Sequence, residues 1–527
     1  MIRASILILL LSAQWVAGQV IPEPTAIVAL TSSPPYSATG LLYLSKADTN
    51  APGLHNPVLV VEGFDIDNSM NWPELYDLLN QENLVEDLQA YGRDLIILNF
   101  DDSTIDILAN ATLVETAIAY VNTNRADPFD KFTAVGASLG GLATRKALVD
   151  MPAHGVDTWV SFDAPHEGAN IPLGVQEFFE HFSTVPLSDF DAIREFLQSL
   201  DTPAARQLLL VHHSHSPDAP AGASIPERQD FVNEMNLAGY PTNCKTIAIS
   251  NGSGFGEKLP FEPGDLILHW YHYVWFIGPD LDVDIHALPQ STNTASIVYS
   301  GKFKSILGSA SPNEKTVDTY HPLSFDNAPG GYRGTFLQVY TNLPYTGDGN
   351  DALNTTNHCF VPTVSSLGIP IEHIETNLAS HAELTALSPF DEIHYAVNNE
   401  PHVQINAGNK RWVMRAVLED QDSDGDGYDD YLEYLLGTAY DSADSLLGVY
   451  AVIEVFLIDS KAVLTWNAYP NTQYEVWFAA ALGDSWQLLE TILPTLDPEI
   501  TREYLIDTEE PSGFFKIVAT PVDPVTD

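Results

Sequence analysis

The chain has 527 residues, 45% of them hydrophobic and 18% charged, with a net charge of −49. This composition is globular, supplies a sizeable core and leaves room for two or three domains. The charge argues against nucleic acid or an anionic membrane as a partner, because like charges repel over the whole surface.

Met1-Ile2-Arg3 followed by the apolar run Ile6–Leu11 and the small residues Val16-Ala17-Gly18 reads as a signal peptide. Cleavage after Gly18 predicts an exported protein, secreted or held at the cell surface. No later apolar stretch reaches membrane-spanning length. Cys244 and Cys359 are the only cysteines, too few for a disulfide framework.

Pro57–Val61 is a continuous apolar run and predicts a buried strand. Trp72–Tyr91 has helical apolar spacing, and Asp94–Phe100 is a second strand. Leu113, Val114, Ala117, Ile118 and Val121 mark one face of a further helix. Phe132–Val135, Trp159–Phe162 and Thr246–Ile249 predict more strands, with a helix over Leu142–Val149. Strands alternating with helices imply a parallel sheet covered on both faces. Two insertions interrupt this pattern. Residues 172–240 look helical and suit a lid, with Phe178, Phe179, Phe182, Phe190, Ile193, Phe196 and Leu197 at roughly helical spacing. Residues 262–345 look like antiparallel strands.

Val135-Gly136-Ala137-Ser138-Leu139-Gly140-Gly141 satisfies G-x-S-x-G between a predicted strand and a predicted helix. A serine on such a tight turn exposes its hydroxyl, and the following helix aims N–H groups at the site. Ser138 is the candidate nucleophile. Leu139 should give one oxyanion-hole N–H, and Gly63 or Phe64 the other. The base should be a histidine beyond the last strand: His402, with His394 and His381 as alternatives. The acid stays open between Asp163, at a strand end, and Asp326, in a later turn, with Asp265 and Asp348 also available. His212, His213 and His215 form a histidine-rich loop, and His166 reads as a loop anchor.

Residues 55–404 resemble bacterial α/β-hydrolases of the lipase and esterase group, including exported members grouped loosely with inositol-deacylase-like enzymes. The resemblance is carried by Val61–Asp65, the G-x-S-x-G stretch, Ser161–Asn170 and Phe360-Val361-Pro362-Thr363. Glu62-Gly63 stands where many lipases have His-Gly, and no aspartate opens the last segment. The resemblance implies an α/β-hydrolase fold and hydrolysis of a small-molecule, lipid or polyester ester without a catalytic cofactor. A peptidase or acyltransferase on the same fold, or an inactive adhesion protein, are the alternatives.

The segment 416–527 holds 23 acidic and 3 basic residues, and so stands apart. Asp422, Asp424 and Asp426 occupy positions 1, 3 and 5 of a calcium loop, with Gly427 at 6. Tyr428 offers a carbonyl at 7, Asp430 stands at 9 and Glu433 closes at 12. The stretch resembles Asp-rich calcium linkers ahead of C-terminal modules in exported bacterial proteins. The domain reading is a signal peptide over 1–18, a catalytic domain over 19–415, a calcium linker over 416–442 and a small β-sandwich over 443–527 suited to attachment or sorting.

Overall fold

The computed structural model describes residues 21–66, 68–183, 191–214, 225–273, 280–304, 313–343, 346, 351–425, 429–436 and 439–442. Beyond these it describes 454–458, 461–468, 472–479, 487–493, 500–506 and 514–521. The leader over 1–18 lies outside the described residues. Two compact units divide the chain, Met1–Val417 and Leu418–Asp527.

The first unit opens on β1 (Ala26–Thr31), β2 (Thr39–Ser45) and β3 (Val58–Val61), then α1 (Trp72–Leu79) and α2 (Leu84–Ala90). There follow β4 (Leu95–Phe100), α3 (Ile107–Asn124), β5 (Thr133–Ala137), α4 (Leu139–Asp150) and β6 (Thr158–Phe162). A helical insertion supplies α5 (Leu173–Ser183), α6 (Asp191–Leu200), α7 (Pro203–Leu208) and α8 (Pro226–Ala238) before β7 (Lys245–Ser253). Next come β8 (Leu266–Tyr273), β9 (Asp280–His286), β10 (Ser296–Lys304), β11 (Asn313–Thr319), β12 (Gly330–Arg333) and α9 (Thr335–Asn342). The unit continues with β13 (Ala352–Leu353), β14 (His358–Pro362), α10 (Thr363–Ser366), α11 (Ala382–Thr385), β15 (Glu392–Ala396) and α12 (Ala407–Leu418).

Eight strands form the main sheet in the order β1-β2-β4-β3-β5-β6-β7-β15. From β4 to β15 every pairing is parallel, while β2 runs antiparallel to both of its neighbours. Parallel strands need cover on both faces, which explains why β3, β4 and β6 are buried along their whole length. Leu59, Val61, Ile96 and Leu98 belong to the same core as Leu113, Val114, Ala117 and Ile118 of α3.

The region read as one helix over Trp72–Tyr91 is two. Asn71 and Glu74 form a capping box and Pro73 sits in the first turn, so α1 starts sharply. Glu82 and Asn83 then adopt left-handed backbone, with φ of 57° and 59°, which ends the first helix and starts the second. The strands β1, β2 and β15 also belong to the main sheet, beyond the strands expected from apolar runs.

Strands β8 to β11 and β13 make a five-stranded antiparallel sheet in the order β11-β10-β9-β8-β13. It packs against α5. Phe178 and Phe182 meet Trp270 with ring centroids 6.2 and 5.7 Å apart, and His181 Nδ1 lies 2.6 Å from the Tyr299 hydroxyl. Among the described residues no helix is long and apolar enough to cross a membrane.

The second unit contains α13 (Asp430–Leu436) and the strands β16 (Glu454–Ile458), β17 (Lys461–Ala468), β18 (Thr472–Ala479), β19 (Gln487–Ile492), β20 (Ile500–Ile506) and β21 (Phe514–Pro521). They form two three-stranded antiparallel sheets, β16-β17-β20 and β19-β18-β21. Val476 pairs across to Ile517, and both are buried with Tyr474, so one face of the second sheet is covered.

Candidate active site

Strand β5 ends at Ala137 and α4 begins at Leu139, leaving Ser138 alone on the bend. Its φ of 52° and ψ of −125° are strained for a non-glycine residue. The strain is held by a bond from the Ser138 N–H to the Phe162 carbonyl at 3.0 Å. Gly140 is required here, because a Cβ would collide with the carbonyl oxygens of Val61 and Glu62.

The Ser138 hydroxyl donates to His402 Nε2 at 2.9 Å, and His402 Nδ1–H donates to Asp163 Oδ2 at 2.7 Å. All three residues are buried. Asp163 directly follows β6 and has a φ of 46°. Its other oxygen accepts from the Asn251 N–H at 3.2 Å, at the end of β7. A Cβ at Gly331 would strike the Asp163 carboxylate, so β12 can pass only as glycine. The His402 loop is tied to that strand: the Tyr332 N–H donates to the Glu400 carbonyl at 2.9 Å, and the His402 N–H donates to the Tyr332 carbonyl at 3.0 Å.

An eight-stranded, mostly parallel sheet carries a strained serine at the bend between β5 and α4. The chain has the α/β-hydrolase fold.

No protein-family profile matches the chain, and no curated protein matches it. Among solved structures it is similar to Est1E from Butyrivibrio proteoclasticus at 14% identity and a TM-score of 0.20, over 26% of this chain and 51% of that one. It is similar to XC6422 from Xanthomonas campestris, a serine hydrolase without a lid, at 16% identity and a TM-score of 0.21, over 28% of this chain and 65% of that one. It is also similar to prolyl oligopeptidase B from Galerina marginata at 13% identity and a TM-score of 0.26, over 42% and 28%. The likeness spans about half the length of the first of these structures. Strand order and the elbow define the fold here, not these partial likenesses.

The remaining sequence candidates lie as follows. Leu139 opens α4 beside Ser138. Gly63 faces the nucleophile, since a Cβ there would lie 3.0 Å from Ser138 Cβ, and Phe64 borders the same space. Asp326 is buried elsewhere, accepting from the Leu288 N–H at 2.7 Å and from Asn170 Nδ2 at 3.0 Å. Burial pushes its carboxyl up to about 6 against the pull of those two bonds. Asp265 accepts from the Glu262 N–H in a turn, and Asp348 lies outside the described residues. His394 sits on β15, stacked on Trp412. His381 Nδ1 meets the Asn377 carbonyl. His166 Nε2 meets Ser161 Oγ at 2.8 Å, enclosed by Trp159, Tyr240 and Phe390.

His212 and His213 lie 3.7 and 3.3 Å from Asp201. Both ring nitrogens of His212 are engaged, with Ser214 Oγ and the Leu200 carbonyl, and Arg206 already pairs Asp201. That leaves little for a metal. His215 lies outside the described residues.

Arg333 stands at the end of β12 with no motif around it to mark it for the site. Its guanidinium carbon lies 4.5 Å from the centre of the Phe360 ring, and that ring meets His402 edge-on at 4.9 Å. The apolar surroundings hold Arg333 down to about 9, while the Asp163 charge opposes the shift. For His402, burial lowers the pKa below the ordinary value, the Asp163 bond and charge raise it, and Arg333 lowers it again. The imidazole is thus favoured as the neutral form able to accept a proton.

Two apolar chambers open at Ser138, with cavity volumes of about 80 Å³ and about 50 Å³. Phe64 and Arg333 border both. Of the phenylalanines proposed for the lid, Phe196 lines the smaller chamber with the Phe179 ring 4.1 Å behind it, while Phe178 and Phe182 pack together and against the insertion sheet. Phe190 and the Ile193 side chain lie outside the described residues.

Proposed function

We propose that the protein is a serine hydrolase of carboxylic esters that works through an acyl-enzyme on Ser138. The observation that carries this is the unbroken hydrogen-bond chain from Ser138 through His402 to Asp163 at the mouth of two apolar chambers. His402 Nε2 takes the hydroxyl proton as Ser138 Oγ bonds to the ester carbon. The oxyanion is held by the N–H of Leu139 and that of Gly63 or Phe64. As the carbon–oxygen bond to the alcohol breaks, His402 returns the proton to the leaving oxygen. Water then repeats the sequence, freeing the acid and Ser138. Asp163 fixes the imidazole tautomer and steadies the imidazolium. The steps call for no cofactor.

Ser138→Ala and Asp163→Asn should each lower ester hydrolysis at least about 10⁴-fold without unfolding the chain. A fluorophosphonate should label the wild type and not Ser138→Ala. Asp326→Asn should be labelled normally but melt earlier, because it disturbs two buried hydrogen bonds. Wild-type labelling at another residue, or amide hydrolysis outrunning ester hydrolysis, would overturn the reading.

We also propose export with cleavage after Gly18, so the mature N-terminus should sequence from Gln19, and attachment or sorting as the role of the terminal strands. The linker is proposed to bind calcium. Asp430 and Glu433 are buried one turn apart on α13, and the Gly425 N–H donates to Asp422 Oδ1 at 2.8 Å, which shapes the loop. The oxygen-rich donor set suits a hard cation. Asp422, Asp424 and Glu433 would hold it. Asp430 accepts from the N–H and hydroxyl of Ser423, at 2.9 and 2.8 Å, and would serve at position 9. Asp426, Gly427 and Tyr428 lie outside the described residues.

A further inference from the structure

The larger chamber runs from Ser138 along one face of the main sheet. Its floor takes alternate residues of neighbouring strands, Val58 and Val60 of β3, Leu95 and Ile97 of β4, and Val135 of β5. Side chains alternate across a strand, so these residues share a face. Leucines of α1 and α2, among them Leu79 and Leu88, close the other side. Protein interiors carry few voids larger than a water molecule, so a cavity of about 80 Å³ between a sheet and its covering helices is not packing slack.

Polarity divides the wall. Among the described lining residues, the charged or hydroxyl-bearing side chains are Glu62, Ser138 and Arg333. Ser138 and Arg333 also border the second chamber, and Glu62 adjoins Gly63, so all three stand at the reaction end. Toward Val58 and Leu95 the wall is hydrocarbon, and a polar group lodged there would lose its hydrogen bonds.

The second chamber leads away from Ser138 toward Leu200 of α6 and Leu208 of α7. Phe360 lines it and packs on the His402 ring. The leaving oxygen must sit beside His402, which directs the alcohol to that side. The acyl group is left with the larger chamber.

We propose that the larger chamber binds the acyl chain of the substrate, and that this chain is a long, unsubstituted hydrocarbon. The proposal rests on Ser138 being the ester-cleaving nucleophile. The substrate class is therefore a lipid ester. A polyester acid, with a carbonyl every few atoms, would place unsatisfied acceptors against Val60 and Ile97. From Gly63 to Val58 the strand advances about 16 Å, at about 3.3 Å per residue. An extended chain advances about 1.2 Å per bond, so the chamber accommodates about twelve to fourteen carbons.

The test is kcat/KM for p-nitrophenyl esters from acetyl to hexadecanoyl, on the full chain. Wild type should gain up to about fourfold per methylene, equivalent to about 0.8 kcal/mol, until the chamber is full. Val60→Phe, half-way down, should lower the dodecanoyl-to-acetyl ratio at least a hundredfold. Val58→Phe, at the bottom, should penalise only the longest chains. Leu79→Phe narrows the chamber from the helix side, so the result stands even if one strand variant does not fold. An ω-hydroxydodecanoyl ester should be at least tenfold slower than dodecanoyl. A flat acyl series, with acetyl hydrolysis still abolished by Ser138→Ala, overturns this proposal and leaves the nucleophile standing. A cut-off that follows the alcohol, measured with alkyl acetates, reverses the two chambers and also overturns it. If folded wild type cleaves no ester, the reading of Ser138 falls and this proposal with it.

Discussion

In the proposed mechanism His402 is the base, and its surroundings would set the pH at which it works. Burial and the Arg333 charge lower its pKa, and Asp163 offsets them in part, leaving the imidazole below its ordinary 6.5. Protonation removes the base, so kcat/KM should fall as pH drops, with a midpoint below about 6.5. In Arg333→Gln the neighbouring cation is gone, imidazolium is less disfavoured, and the midpoint should rise. A pH–rate profile on an acetyl ester checks both. An unmoved midpoint would mean that Arg333 acts on His402 through shape alone. Ser138 was legible because strand, glycine and helix signals are local to it. Asp163 was one of four aspartates, since what selects it is its approach to a histidine 239 positions away. Arg333 gave no signal, because nothing near it in sequence says that β12 crosses beside Asp163.

At the scale of elements, the aromatic face of α5 has a structural task. Phe178 and Phe182 lie 4.9 Å apart, and both are nearly fully buried against Trp270. Phe182→Ala should cost about 3–5 kcal/mol by urea denaturation, with the acyl-length profile unchanged. A changed profile would return α5 to the substrate site. Helical spacing showed which face of α5 is apolar but not what covers it, and the covering sheet begins more than eighty residues later. The break at Glu82–Asn83 was hidden for another reason. Apolar spacing continues through Leu84, Val85 and Leu88, while the left-handed pair is a backbone property. This break separates the two helices that roof the larger chamber.

Across the whole molecule, calcium should act on the second compact unit. Binding stabilises by about 2.7 kcal/mol at a hundred times Kd. Calorimetry with added Ca²⁺ should raise the transition of that unit, with EDTA reversing it and Glu433→Gln losing it. The transition of the hydrolase unit should stay in place. An equal response to Mg²⁺, or none to Ca²⁺, would remove the metal from the linker. The ligand spacing behind this proposal falls within twelve residues, which makes it a local pattern.

The sequence by itself determined the alternating strand–helix order, the elbow at Ser138, the helical and strand-rich insertions and the acidic character of the last hundred residues. All of these follow from local periodicity, turn chemistry or composition. Only the tertiary structure decided that β1, β2 and β15 complete the sheet and that Asp163 rather than Asp326 faces His402. It also placed Arg333 between the two chambers and left an open space beneath α1 and α2. These depend on which strands lie side by side, and neighbours in a sheet are set by packing and hydrogen bonding between segments far apart in the chain.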